Sequence, residues 1–149
     1  MKIFISHKFR GANKPNLKQN LEKLSSLLEQ NGHQTFIYFR DKESWQPKEF
    51  PPGKVIKGAF QEIRKCDAIL AFIDHSKMSE GMLLEFGFAK ALNKKTILLI
   101  SKKYSFPTLE AISDKIIRFN SLKDLNKKPS NIKFSPKLNL SLKTLILKP

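Results

Sequence analysis

Glu85 stands in the run Ser79-Glu80-Gly81-Met82-Leu83-Leu84-Glu85-Phe86-Gly87-Phe88-Ala89, just downstream of a continuous apolar stretch, Ala68 to Ile73, that ends in Asp74. A buried strand closing in an acid, then a short Ser/Gly loop, then a helix with a carboxylate in its first turns is an arrangement that builds a site. Ligands in open α/β sheets lie outside the carboxyl ends of the strands, where helix N-termini and loop amides converge, so this loop falls where a substrate would lie. The chemistry on offer there is that of a carboxylate, with Asp74 as a second acid shortly before it in the chain. An acid near a helix N-terminus also complements the helix dipole. That accounts for Glu85 but not for the glycines around it. Gly81 and Gly87 are poor helix formers, and Gly87, Ala89 and Ala91 are expected to make one surface small enough for close packing or close approach of a ligand.

The hydrophobic pattern supplies the elements that must hold these residues. Lys2 to His7 reads as a strand, followed by a loop with Gly11 and Pro15. Leu17, Leu21, Leu24, Leu27 and Leu28 recur at helical spacing, and Gly32 is placed to end that helix as its left-handed cap. Gln34 to Phe39 is a second strand; Val55, Ile56, Ala59, Phe60 and Ile63 stripe a second helix; Ala68 to Asp74 is a third strand, and a third helix covers about Glu80 to Asn93. Thr96 to Ser101, a short helix at Thr108 to Ser113, and Lys115 to Phe119 complete the alternation. Strands alternating with helices, and strands apolar throughout, specify an α/β fold. The expectation is a single domain, a doubly wound, Rossmann- or flavodoxin-like five-stranded parallel sheet with helices on both faces, over residues 1–125.

Arg40 to Lys54 is a long connection holding Trp45, Phe50, Pro47, Pro51, Pro52 and Gly53. Loops of that length tend to be functional or mobile. Trp45 and Phe50 are candidates either to stack on a flat ligand such as a nucleobase or to pack the loop onto the body.

With 149 residues, 40% hydrophobic content and twelve Phe, the chain has material for one core. No apolar run approaches the roughly 18 residues of a membrane span, and the start lacks a signal-peptide pattern, so a soluble, cytoplasmic protein with no membrane partner is expected. The lone Cys66 allows no internal disulfide and no cysteine-based metal site, and suits a small buried residue. The formal charge of +15 favours anionic partners. Six Lys and no acid lie between Asn126 and Pro149, leaving +9 for residues 1–125. Specific nucleic-acid binding is therefore disfavoured, and residues 126–149 read as a basic extension whose Leu138 to Leu147 segment docks on the body or on a neighbouring subunit.

Three pieces carry a resemblance to a known family: Ser6-His7-Lys8-Phe9-Arg10-Gly11, Cys66-Asp67-Ala68-Ile69-Leu70, and the Gly, three residues, Glu, one residue, Gly spacing of Gly81, Glu85 and Gly87. Over roughly residues 1–125 the chain resembles the nucleoside 2-deoxyribosyltransferases, a family that includes 2′-deoxynucleoside 5′-phosphate N-hydrolases. The resemblance implies that Glu85 attacks the anomeric carbon of a nucleoside or nucleoside monophosphate and expels the base to water or to a second base. It implies no cofactor and no metal, and a homodimer or higher homo-oligomer. An N-glycosidic bond breaks through an oxocarbenium-like state that a carboxylate stabilises or captures.

The same resemblance places Ser79 and Arg10 against a phosphate; Lys8 falls where relatives have a small hydroxyl residue and could itself reach that phosphate, Gly81 lines the sugar with Asp74, and Phe9, Gly11, Met82 and, from its loop, Trp45 are the further candidates for substrate contact. An Arg can fork onto phosphate oxygens there. One family position departs: the aspartate about eight residues before Asp67 is Ala59 here. Either Asp74 takes over, or the reaction differs, or the chain is a binder that has lost activity; Asp74 could instead only hold sugar hydroxyls or cap the following turn. An alternative reading is a non-catalytic nucleotide-binding signalling module, because Ile3-Phe4-Ile5-Ser6-His7 also looks like the first strand of Toll/interleukin-receptor-type domains.

Overall fold

A computed structural model describes residues 1–127 together with Ile132 and Phe134. Five strands, β1 (Lys2–His7), β2 (Gln34–Phe36), β3 (Ala68–Ile73), β4 (Lys95–Ser101) and β5 (Lys115–Phe119), form one sheet in the order β2-β1-β3-β4-β5. Every neighbouring pair is parallel, with Ser6 opposite Ala71 and His7 opposite Phe72. The helices are α1 (Lys14–Gln30), α2 (Tyr38–Asp41), α3 (Pro52–Arg64), α4 (Glu80–Ala91), α5 (Pro107–Ile112) and α6 (Leu122–Lys127). The doubly wound α/β architecture is thus the one the alternating pattern specifies.

Period-two alternation sorts the strand residues onto two faces. Ile3, Ile5, Ala68, Leu70 and Phe72 face α1 and α6, where Leu21, Leu24, Leu28, Leu125 and Ile132 complete one core. Phe4, Ile69, Ala71 and Ile73 face the other way, onto Ala59 and Ile63 of α3, Met82 and Phe86 of α4, and Leu109 of α5. Ser6 shares the α4 side with Phe4, which is the fact that makes the site.

Several boundaries differ from the pattern. β2 stops at Phe36 rather than Phe39 because Asp41 Oδ2 accepts from the Ile37 amide at 2.8 Å and Arg40 reaches back to the Thr35 carbonyl at 2.8 Å, closing the chain into α2. α3 begins at Pro52, whose fixed φ suits a first helical turn. Gly32, at φ +82°, ends α1 in the left-handed conformation expected of it. Residue 125 lies inside α6 rather than at an edge, and His33 Nε2 lies 3.2 Å from the Ile132 carbonyl oxygen, so the chain runs on against the body past that point. Leu138 to Leu147 lies outside the described residues. Among the described residues no helix is long and apolar enough to cross a membrane.

Candidate active site

The switch point of this sheet lies between β1 and β3, where successive connections leave in opposite directions and open a crevice at the carboxyl ends of the strands. α4 enters there. Its helical period buries Met82, Phe86 and Ala89 against the sheet, and leaves Glu85 beside that stripe, partly exposed. The Ser6 hydroxyl, at the end of β1, donates to Glu85 Oε2 at 2.5 Å. Burial pushes the Glu85 carboxyl up to about 7, and the Ser6 hydrogen bond pulls it partly back. Among the described residues Ser6 is its one hydrogen-bonding partner, leaving Oε1 without one. A carboxylate poised near neutrality, with one oxygen tethered, can give an electron pair to an electrophilic carbon through the other.

The flanking loops add cations and hydroxyls. Ser79 caps α4 by position, yet its side chain makes no capping hydrogen bond, so the hydroxyl stays available. Gly81 has only that hydroxyl near its absent side chain, at 3.6 Å. Arg10 is exposed and Lys8 half-buried, and neither makes a hydrogen bond or ion pair among the described residues. Gly11 takes φ +71°, which turns the chain after Arg10.

Other expected residues lie elsewhere. Met82 is buried in the core on the α4 side, because it falls on the sheet-facing stripe of the helix. Phe9 and Trp45 both pack against Phe39 in edge-to-face contacts, at 4.8 and 5.3 Å between ring centres, on the α1 side of the sheet. Lys14 covers the Phe9 ring. Trp45 therefore packs its loop onto the body, and both Ser44 and Trp45 adopt left-handed φ values, 53° and 61°, to bring it there. Asp74 is exposed and meets Asn20 Nδ2 of α1 at 3.4 Å, since strand alternation turns it to the face opposite Ser6. The small surface expected of Gly87, Ala89 and Ala91 divides: Gly87 and Ala91 are exposed and Ala89 is buried on the far side of the helix.

Ser6 was not among the expected site residues, although its signal is in the sequence as the hydroxyl that directly follows the apolar run Ile3-Phe4-Ile5 near the end of β1. His75 follows Asp74, just past the end of β3. Burial lowers its imidazole pKa, against Asp74, which raises it, with Lys8 close enough to lower it further. His7 is held neutral more firmly, pushed by burial down to about 4.

The model of the family described as nucleoside 2-deoxyribosyltransferase matches residues 9–133 of this sequence. The chain belongs to the nucleoside 2-deoxyribosyltransferase family. It is accordingly an enzyme of glycosyl transfer or hydrolysis. Among solved structures it is similar to the CMP N-glycosidase of Clostridium botulinum, at 25% identity and a TM-score of 0.62, over 87% of this chain and 98% of that one. It is also similar to the 2-deoxyribosyltransferase of the psychrotolerant Bacillus psychrosaccharolyticus, at 21% identity and a TM-score of 0.59, over 93% of this chain and 100% of that one. A conserved protein from Enterococcus faecalis V583 shares the fold at 16% identity and a TM-score of 0.60, over 87% and 96%. No curated protein matches the sequence. Ala59, the residue that the resemblance sets against an aspartate of the family, is fully buried in α3 against the sheet and brings no carboxylate there.

Proposed function

We propose that this chain cleaves the N-glycosidic bond of a nucleoside 5′-monophosphate through covalent catalysis by Glu85, with CMP the first substrate to try. The observation that carries the reading is the tethered, partly exposed Glu85 carboxyl at the switch point, in a family whose chemistry is transfer from a nucleoside. The likeness to a CMP N-glycosidase along nearly all of that enzyme's length supports a nucleotide rather than a free nucleoside. So do the unpartnered Arg10, Lys8 and Ser79 hydroxyl beside the crevice, which suit phosphate oxygens.

Glu85 Oε1 attacks C1′ of the sugar while the C1′–N bond breaks and its electron pair leaves with the base, which takes a proton from solvent. The product is a glycosyl ester of Glu85. Water then attacks C1′, the ester C–O bond breaks, the carboxylate is regenerated and the water's proton returns to solvent. A second base attacking instead of water makes the same enzyme a transferase. The Ser6 hydrogen bond holds the carboxyl in line for both displacements. Asp74, turned towards α1, has no step in this sequence.

Self-association is part of the proposal. Leu83 and Leu84, 44% and 55% exposed, sit on α4 beside Glu85, with Gly87 and Ala91 exposed on the same helix. A second copy covering this apolar face would also wall the crevice.

The test is chromatography of products after incubation with a panel of nucleosides and their 5′-monophosphates, with and without added free base. Base released from a monophosphate by the wild type, and by neither Glu85→Gln nor Glu85→Ala, is the expected result. Full activity in both variants, or tight nucleotide binding with no release from any compound, contradicts the proposal.

A further inference from the structure

α3 has two different flanks. On one, the Phe60 ring stacks on Phe88 of α4 at 4.1 Å and Arg64 lies over the same ring at 5.0 Å. On the other, a cleft of about 620 Å³ opens between α3 and α2, lined by Tyr38, Lys42, Gly53, Lys54, Lys57, Gly58 and Gln61. α3 stands between this cleft and α4, and the cleft shares no lining residue with Ser6, Glu85, Ser79, Lys8 or Arg10.

Its floor is built. A Cβ on Gly58 would stand 2.9 Å from the Tyr38 hydroxyl, so the tyrosine ring lies close against the helix and a side chain at residue 58 would make it shift. Its charge is unbalanced. Glu62 is the acid at the border, and it is buried and already held by Lys42 at 3.0 Å and Lys65 at 3.1 Å. Glu43, within electrostatic reach of Tyr38, is also buried, with Lys48 and Lys14 beside it. Lys54 meets only the Phe50 ring, at 4.5 Å, and Lys57, Gln61 and the Tyr38 hydroxyl make no hydrogen bond or ion pair among the described residues. Two ammonium groups, a phenol and an amide thus face one open space, and none of them has an acceptor.

We propose that this cleft is a second ligand site, separate from that of Glu85, for a small anion carrying a pyrophosphate group. Compact ammonium groups bind phosphoryl oxygens as point charges, with the phenol and the amide as further donors. The volume lies within the range of sites for small ligands, roughly 300–1,000 Å³. Free pyrophosphate and a nucleoside diphosphate present the same group, and only the second adds a base.

The experiment is an amide-shift titration of the full chain at low ionic strength with inorganic pyrophosphate in one arm and adenosine diphosphate in the other. Pyrophosphate is expected to shift Tyr38, Gly53, Gly58 and Gln61 first. The double variant Lys54→Gln/Lys57→Gln should weaken its binding about tenfold or more, while leaving base release from substrate unchanged. The control Lys102→Gln/Lys103→Gln, which removes the same charge from equally exposed positions outside the cleft, should leave binding unchanged, as should Arg10→Gln. Tighter binding of the diphosphate arm identifies a nucleotide as the ligand; equal binding identifies free pyrophosphate. No saturable binding, equal weakening by both lysine doubles, or weakening by Arg10→Gln but not by the cleft double overturns the proposal.

Discussion

The Ser6 hydroxyl at the end of β1 donates to Glu85 Oε2 of α4 at 2.5 Å, joining two elements separated by 79 positions in sequence across the switch point of the sheet. The bond fixes the direction of a carboxyl whose pKa burial raises to about 7, and so ties its orientation and its proton affinity to one hydroxyl.

A nucleophilic Glu85 must be ionised. With its pKa raised to about 7, kcat/KM is expected to climb with pH between about pH 5 and pH 8 and then level, as the titration of one group. A flat profile over that window contradicts the role.

Ser6→Ala removes a donor that favours the charged form. The midpoint of the same profile should move to higher pH, and kcat/KM at pH 7 should fall about tenfold or more, with part of the loss recovered at about pH 9. A uniform loss at every pH would make Ser6 a packing residue only.

Glu85→Gln should stabilise the fold, with a gain that grows above about pH 4.5 and is complete above about 7. The folded pKa is raised, so the folded state holds the proton more tightly than the unfolded one. The penalty for ionising Glu85 is absent below the unfolded value of 4.5 and fully present above about 7. Thermal unfolding should therefore give a higher Tm for the variant at pH 8 and no gain at pH 4. In a domain of this size each kcal/mol recovered is worth about 2–4 °C. Equal Tm values at pH 8 would mean that the carboxyl is well solvated.

Trp45→Ala separates packing from stacking on a substrate. The contact with Phe39 predicts a loss of about 2 kcal/mol in denaturant unfolding, with KM changed less than about twofold. A large rise in KM with stability preserved would place the indole on the substrate.

Leu84→Glu puts a charge on the exposed apolar face of α4. Sedimentation should show a multimer in the wild type and a smaller species in the variant. A wild-type monomer at micromolar concentration removes self-association from the account.

The fold was largely legible because alternating apolar strands and amphipathic helices leave few topologies, and the sequence of the α4 motif marks Glu85 by itself. What escaped was side-chain direction. Asp74 stands at the end of the strand before Glu85's helix, but alternation turns it to α1, and Met82, three residues from Glu85, falls on the buried stripe. Ser6 could have been found by the same alternation, since it shares a face with Phe4 and not with Ile5. α2 was not legible, because Arg40 and Asp41 close it through side-chain contacts to Thr35 and Ile37 rather than through a helical pattern.

Intact-mass and peptide-mapping spectrometry after incubation with a 2′-deoxy-2′-fluoro cytidine monophosphate, whose fluorine slows both displacements, tests the central claim most directly. The account predicts one sugar-phosphate adduct, on the peptide containing Glu85, and none in Glu85→Gln. Release of cytosine with that peptide unmodified, or an adduct that survives in Glu85→Gln, would contradict it.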